Sequence, residues 1–290
     1  MMKLIHLTDL HLVPAPRLVY GLDPRERLRL AIADINSKHA DAAAVVISGD
    51  LADRGELGAY TTLRELLQEL RLPVYLGIGN HDDRTTFLKV FSDYPVDAGG
   101  VCQMAWTIDG RQFLMLDSVG GAGDGGVLSE DRLAWLDARL CERPGQPAYV
   151  FLHHNPVPCG LAFEDSIMLQ DAVGLAEVLN RHDQVRFMAF GHVHRAYFGV
   201  WYGVAYASLP GLNHQTALDF QAAERGSPGS HEPPAYGVML IDDRGDVVYH
   251  LHHFLDNNPK YFYSSALNEA PSYEDFLARV EHQRTDPAYR

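Results

Sequence analysis

The chain has 290 residues, 47% hydrophobic and 21% charged, the balance of a folded globular protein; disorder, collagen and coiled coil are excluded. Acidic side chains outnumber basic ones 38 to 24, a net −14 with no Lys/Arg run, so a surface that tracks polymeric DNA or RNA is disfavoured. No run approaches the ~18 apolar residues of a membrane helix, the start MMKLIHLTDLHL lacks a signal pattern, and Cys102, Cys141 and Cys159 read as reduced thiols of a cytoplasmic protein.

Lys3–Thr8 is the first short apolar strand. Asp23 then offers a helix N-cap ahead of Pro24, with Leu28, Ala31, Ile32 and Ile35 at helical spacing. Ala43–Ser48 reads as a second strand. A helix carrying Tyr60, Leu63, Leu67 and Leu70 follows, stopped by Pro73 before a strand at Val74–Ile78. Gln112–Leu116 is another strand. A helix begins near Ser129, with Glu130 and Asp131 in its first turn and Leu133, Leu136 and Leu140 on one face. Ala148–Leu152 and Arg186–Phe190 complete the buried-strand set. Tyr197–Tyr206, Tyr236–Ile241 and Asp246–Phe254 read as late strands joined by tight turns. Gly120–Gly126 and Arg225–Pro234 read as loops. The pattern predicts an α/β protein with layers of mixed sheet covered by helices. The aromatic and charged segment 256–290 is a candidate arm for self-association into a homo-oligomer.

Five polar clusters sit just past the carboxyl ends of five apolar strands: Asp9-Leu-His11, Gly49-Asp50, Gly79-Asn80-His81-Asp82, His153-His154 and Gly191-His192-Val193-His194. That edge is where α/β sheets build sites. Two divalent cations about 3.5–4 Å apart need a bridging carboxylate with mixed N and O ligands, and these clusters supply both. Asp-x-His and His-x-His put two ligands on one side of an extended backbone. The glycines before Asp50, Asn80 and His192 are expected to allow unusual backbone angles. Imidazole with carboxylate suits Mn, Fe, Zn or Co, and no thiolate takes part.

In this order the five motifs resemble the calcineurin-like metallophosphoesterase family over roughly residues 1–215. Gly-Asn-His-Asp-Asp, His-His followed by Pro156 and Pro158, and Leu209-Pro210-Gly211 leading to His214 are similar to the bacterial class III cyclic-nucleotide phosphodiesterases and glycerophosphodiesterases. The resemblance implies a four-layer αββα sandwich of two mixed β-sheets flanked by helices, in a metallophosphoesterase domain at 1–255. It implies that Asp9, His11 and His194 hold one divalent metal ion, that Asn80, His153 and His192 hold the other, and that Asp50 bridges them, with Mn or Fe favoured. Either His153 or His154 could be the ligand, and the first is chosen. His81 would face the substrate phosphate beside Asn80, oriented by Asp82, and His214 would lie on the substrate side. The implied reaction is hydrolysis of a small phosphodiester, a cyclic nucleotide such as cAMP or a glycerophosphodiester, by a metal-bridging hydroxide. Two cations, Asp9, Asp50 and that hydroxide would leave a local charge of about +1 to draw an anion.

The remaining histidines have plainer readings. His6 is expected in the core or against a helix, and His39, His182 and His282 on exposed helices or loops. His250, His252 and His253 lack a carboxylate motif and read as structural. Asp83 is expected to be solvated. Two alternatives stand beside the diesterase. A phosphomonoesterase of the same fold would want arginines near the metals, for which Arg84 and Arg195 are the visible candidates. A non-catalytic scaffold would show gaps among the ligands, and this chain shows none.

Overall fold

The computed structural model describes residues 1–97, 99–121, 123–222 and 226–285. Residue 122 of the expected loop Gly120–Gly126, residue 225 of Arg225–Pro234 and the last five of the expected arm lie outside the described residues. The first part of the chain forms β1 (Met2–Leu7), α1 (Pro24–Lys38), β2 (Ala44–Ser48), α2 (Leu57–Leu67), β3 (Val74–Gly77) and α3 (Arg84–Val90). The middle forms β4 (Met104–Ile108), β5 (Arg111–Met115), β6 (Gly126–Val127), α4 (Glu130–Cys141), β7 (Ala148–Phe151), α5 (Ala162–Ser166), β8 (Leu169–Gln170), α6 (Val173–Asn180) and β9 (Val185–Phe190). Then come β10 (Tyr197–Trp201), β11 (Val204–Ser208), β12 (Gln215–Thr216), β13 (Gly229–Ser230), β14 (Tyr236–Ile241), β15 (Val247–His252), α7 (Ser265–Asn268) and α8 (Tyr273–Thr285).

Residues Met1–Phe254 make one compact unit, built on two sheets. The first runs β15-β14-β1-β2-β3, with β1, β2 and β3 parallel and the two late strands antiparallel. The second runs β10-β11-β9-β7-β5-β4, parallel in the middle with an antiparallel strand at each edge. Leu4, Val46, Met115, Phe151, Ala189 and Met239 pack between the sheets. The outer face of the first sheet meets Leu28, Ile32 and Ile35 of α1, Tyr60 and Leu63 of α2 and Phe87 of α3. The second meets Leu136 and Leu140 of α4 and Leu175 and Leu179 of α6. Buried on both faces, the central strands are apolar at nearly every position, as parallel strands under helices must be. This is the expected α/β architecture of two mixed sheets with flanking helices.

Local signals hold where a side chain can cap. Asp23 accepts from Arg25 N at 3.0 Å, and Ser129 opens α4. The second helix stops at Leu67, and Leu70 is reached by turns rather than helix. Two histidines expected to be exposed are not. His182 is 9% exposed and bonds Asp137 at 2.7 Å; His39 is half-buried and packs edge-on against Tyr236. His6 lies between the sheets, and His252 is structural, paired with Asp34 at 2.9 Å. Asp83 is exposed but caps α3 through Thr86 N.

Residues Leu255–Arg290 form the other compact unit. Ser264 caps α7, and the Gln283 side chain from α8 bonds both the N–H and the carbonyl of Phe262 at 2.9 Å.

Candidate metal centre

The strand ends are drawn together by backbone pairing that continues past the sheets. Asp9 N donates to the Gly49 carbonyl (3.1 Å), His11 N to Asp50 (2.9 Å) and Gly191 N to His153 (3.1 Å). The turn that follows each strand forces five site residues into the left-handed region, with φ of 55° at Asp9, 48° at His11, 47° at Asp50, 70° at His192 and 52° at His194. Of the three glycines expected to allow unusual backbone angles, Gly49 does so, with φ +117°, whereas Gly79 and Gly191 do not have a positive φ. Gly79 and Gly191 are there for space, since a Cβ would run into Asp50 Oδ1 at the first and Thr8 Oγ1 at the second.

Four histidines share one arrangement. His11 Nδ1 faces Asp53 Oδ1 (3.2 Å), His153 Nδ1 the Ser48 carbonyl (3.1 Å), His192 Nε2 the Ile167 carbonyl (3.0 Å) and His194 Nδ1 the His214 carbonyl (2.9 Å). A carbonyl or carboxylate can only accept, so each of these ring nitrogens carries the hydrogen and the other presents a lone pair. Those lone pairs converge. His11 Nε2 lies 3.0 Å from His194 Nε2, and Asn80 Oδ1 lies 3.1 Å from His153 Nε2 and 3.0 Å from His192 Nδ1.

Asp9, His11, Asp50 and His194 place one ligand atom each within 4.8 Å of one another. Asp50 spans both groups, with Oδ2 3.5 Å from His11 Nε2 and Oδ1 3.3 Å from His153 Nε2. Acceptors facing acceptors in a buried site repel unless a cation or a proton lies between them. The donor set therefore fits bound divalent ions. His153 joins this cluster; His154 turns away to the Ser118 hydroxyl (2.7 Å) and the Asp124 carbonyl (3.1 Å).

The electrostatics agree. Burial raises the pKa of Asp50, but His153, His81 and His11 outweigh it and hold the carboxylate well below its usual range. Burial lowers His153, yet Asp50 and Asp9 win and push it up to about 9, so with no cation between the acceptors a proton on Nε2 takes that place and a bound ion would displace it. Burial and the neighbouring rings keep His192 well below the ordinary imidazole value, and the same causes bring His214 to about 2. Both are neutral and free to bind or donate.

Asp82 does not orient His81. Its carboxylate is buried among Leu51 N (3.0 Å), Ala52 N (2.9 Å), Gly79 N (2.9 Å) and the Tyr60 hydroxyl (2.9 Å), clamping the loop after β2 to the loop after β3. Burial and the Asp50 charge raise it to about 6. His81 is oriented by its Nδ1 on the Asp53 carbonyl (2.8 Å) and by its own N–H on Asp50 Oδ1 (3.0 Å). Sequence reasoning missed Asp53, although the run Asp50-Leu-Ala-Asp53 placed a second acid three residues beyond Asp50. A cavity of about 630 Å³ opens over the cluster, lined by Asn80, His81, His192, His194 and His214 with Tyr20 and Glu164 at its walls.

Residues 2–196 match the family described as calcineurin-like phosphoesterase. The chain belongs to that family. Membership implies divalent metal ions, and the buried His/Asp cluster supplies ligands of the right kind. A probable cyclic nucleotide phosphodiesterase of Rhodopseudomonas palustris is 41% identical over 262 residues, 89% of this chain and 94% of that protein. A probable glycerophosphodiester phosphodiesterase of Arcobacter nitrofigilis is 30% identical over 255 residues, 86% of this chain and 92% of that one. A dimetal phosphatase from Danio rerio shares the fold, with a TM-score of 0.64 at 16% identity over 86% of this chain and 98% of that chain. Among the described residues no helix is long and apolar enough to cross a membrane.

Proposed function

We propose that the chain hydrolyses small phosphodiesters, a cyclic nucleotide or a glycerophosphodiester, at a two-metal centre held by Asp9, His11, Asp50, Asn80, His153, His192 and His194. The observation that carries this reading is the set of convergent lone pairs, each fixed by a hydrogen bond on the far side of its ring. Its imidazole, carboxylate and amide donors, without thiolate, favour Mn or Fe. Cations bound there would supply Lewis-acid charge to the phosphoryl oxygens and acidify water.

The chain's own groups do the positioning. With Nδ1 on the Asp53 carbonyl, His81 presents Nε2 at the cavity, where it can contact a phosphoryl oxygen or exchange a proton with the departing one. Burial opposes its protonation, but Asp50 and the Asp53 carbonyl raise its pKa. His214 accepts from Asn213 Nδ2 at Nδ1 (3.3 Å), leaving Nε2–H as a neutral donor to substrate.

The diester is favoured over the monoester by where the bases go. Arg84 pairs with buried Asp117 at 2.8 Å, and Arg195 bonds the Thr216 carbonyl (2.7 Å) and Glu232. Among the described residues no Lys or Arg lines the cavity. A monoester dianion would find no added positive charge beside the centre. The supporting setting is a homo-oligomer assembled through 256–290, on the exposed Tyr263 and Tyr273, and a cytoplasmic location, on the free cysteines.

The test is chelator-stripped protein reloaded with Mn, assayed on a bis-aryl and a mono-aryl phosphate, with Asp50→Ala as the blank. Faster diester turnover that is absent from the blank is expected. Monoester preference would move the assignment to a phosphatase, and no metal-dependent turnover of either would end it.

A further inference from the structure

Glu164 is a buried acid that the hydrolytic scheme leaves unused. It sits on the five-residue helix α5 at 4% exposure, in the cavity wall with Thr216 and Ser227. Its Oε1 accepts from the Ser227 hydroxyl and from Thr216 Oγ1 (3.4 Å), while Oε2 has no hydrogen-bond partner among the described residues. Burial raises its pKa, and the two hydroxyls pull the other way.

The segment around it is fixed to the metal centre. Asp165 accepts from Cys159 N (2.7 Å) and Gly160 N (3.0 Å), and the Ile167 carbonyl just beyond α5 holds His192 Nε2. The Glu164 carboxylate is thus presented on a rigid element at a set place relative to the ligands. Among the described residues no Lys or Arg lines the cavity to pair with it. A carboxylate kept only for structure would be bonded through both oxygens, because a buried charge without a partner is costly. One oxygen of Glu164 is tied to the wall and the other is left for an occupant.

We propose that Glu164 selects the alcohol substituent of the diester, its Oε2 accepting a hydrogen bond from an O–H or N–H on that substituent. A polyol hydroxyl and an ammonium group both supply this chemistry. A substituent with a further negative charge is rejected by Glu164 and by Asp124, which also lines the cavity. The proposal rests on the phosphodiesterase reading and deepens it.

The experiment uses the full chain loaded with Mn and p-nitrophenyl diesters whose second alcohol is 2,3-dihydroxypropyl, 2-aminoethyl or propyl. Release of p-nitrophenol reports each kcat/KM, and calorimetry of glycerol 3-phosphate against propyl phosphate reports binding without turnover. One hydrogen bond to a charged acceptor corresponds to a preference for the donor-bearing esters of about 10- to 100-fold, expressed mainly in KM. Glu164→Gln should cut that ratio to within about threefold, with the larger loss on the aminoethyl ester, where charge is removed as well. Because each ratio is internal to one protein, a general loss of activity in the variant does not imitate the effect. Wild-type protein that turns over the propyl and dihydroxypropyl esters equally, or a ratio unchanged in Glu164→Gln, overturns the Glu164 assignment while leaving the diesterase standing. No turnover of any ester by the Mn-loaded wild type overturns both.

Discussion

Replacing His6 with glutamine should remove a defined part of the acid sensitivity of the fold. The His6 ring is 1% exposed between the two sheets, edge-on to Phe151, with Nδ1 2.6 Å from the Tyr249 hydroxyl and Nε2 2.8 Å from Ser48 Oγ. Burial brings its pKa from 6.5 down to about 3. Between those values the unfolded chain takes up a proton that the folded one refuses. Stability is therefore fully present above pH 6.5 and drains away as the pH falls toward 3. For a folded ring that stays neutral, the loss between pH 7 and pH 5 is about 2 kcal/mol. In a chain of this size that corresponds to a Tm shift of about 4–8 °C. Glutamine can bond the same two hydroxyls and does not titrate. Urea unfolding of chelated wild type and His6→Gln at pH 7 and pH 5 gives the difference directly, because the other titrating groups are common to both. Wild type should lose about 2 kcal/mol more than the variant. Parallel pH dependences, agreeing within about 0.5 kcal/mol, would refute the argument that this ring is held neutral by burial.

Asp82→Ala removes the acceptor from three buried amides at roughly 1 kcal/mol or more each, offset in part by relief of a buried charge, so Tm should fall by several degrees. Combined with His81→Ala its effect on log kcat/KM should be additive; strong non-additivity would mean that Asp82 acts through His81 after all. Gly191→Ala drives a Cβ toward Thr8 Oγ1 and to 2.7 Å from Asp9 Oδ2, an overpacking cost of about 1–3 kcal/mol. Metal per chain, measured by atomic emission, should drop, and full occupancy at an unchanged Tm would contradict the close-approach argument. Loading Mn at about 100 times its Kd should add about 2.7 kcal/mol of stability and raise Tm by about 5–11 °C. An equal rise in Asp50→Ala would show that the ion binds elsewhere.

The parts of the fold legible in sequence are those where one physical demand dominates. Ala44–Ser48 is buried throughout, so its run of apolar residues announces a covered parallel strand. The edge strand Met104–Ile108 alternates half-buried with exposed positions and gives no such signal, and α6 has only eight residues. The site motifs are visible because imidazoles and carboxylates at strand ends have few other reasons to cluster. What fixes those imidazoles is invisible for the same reason, since the carbonyls of Ser48, Ile167 and His214 belong to any residue type. An acid next to His81 in sequence says nothing of where its carboxylate points. Asp82 leads into the first sheet's loops, and the acid in the wall of the cavity over the cluster, Glu164, lies far along the chain on a helix too short to predict.

The left-handed site residues show why the centre and the fold depend on one another. Glycine would relax the backbone at Asp9, His11, Asp50, His192 and His194, but it would bring no imidazole or carboxylate to the cluster, so local preference yields to side-chain chemistry there. At roughly 1 kcal/mol or more each, the strain must be offset by contacts that exist only in the folded unit. Some are on view. His192 N donates to both oxygens of Asp9 at 3.2 Å, and Leu212 N donates to the Thr8 carbonyl at 3.0 Å. Asp9, His11, Asp50 and Asn80 follow strands of the first sheet, whereas His153, His192 and His194 follow strands of the second. Cations held by both groups would tie the two sheets together at their carboxyl edge. Metal loading should therefore raise the cooperative unfolding temperature of the whole unit 1–254 and should not merely order a loop. Chelation should loosen the seam between the sheets before either sheet comes apart.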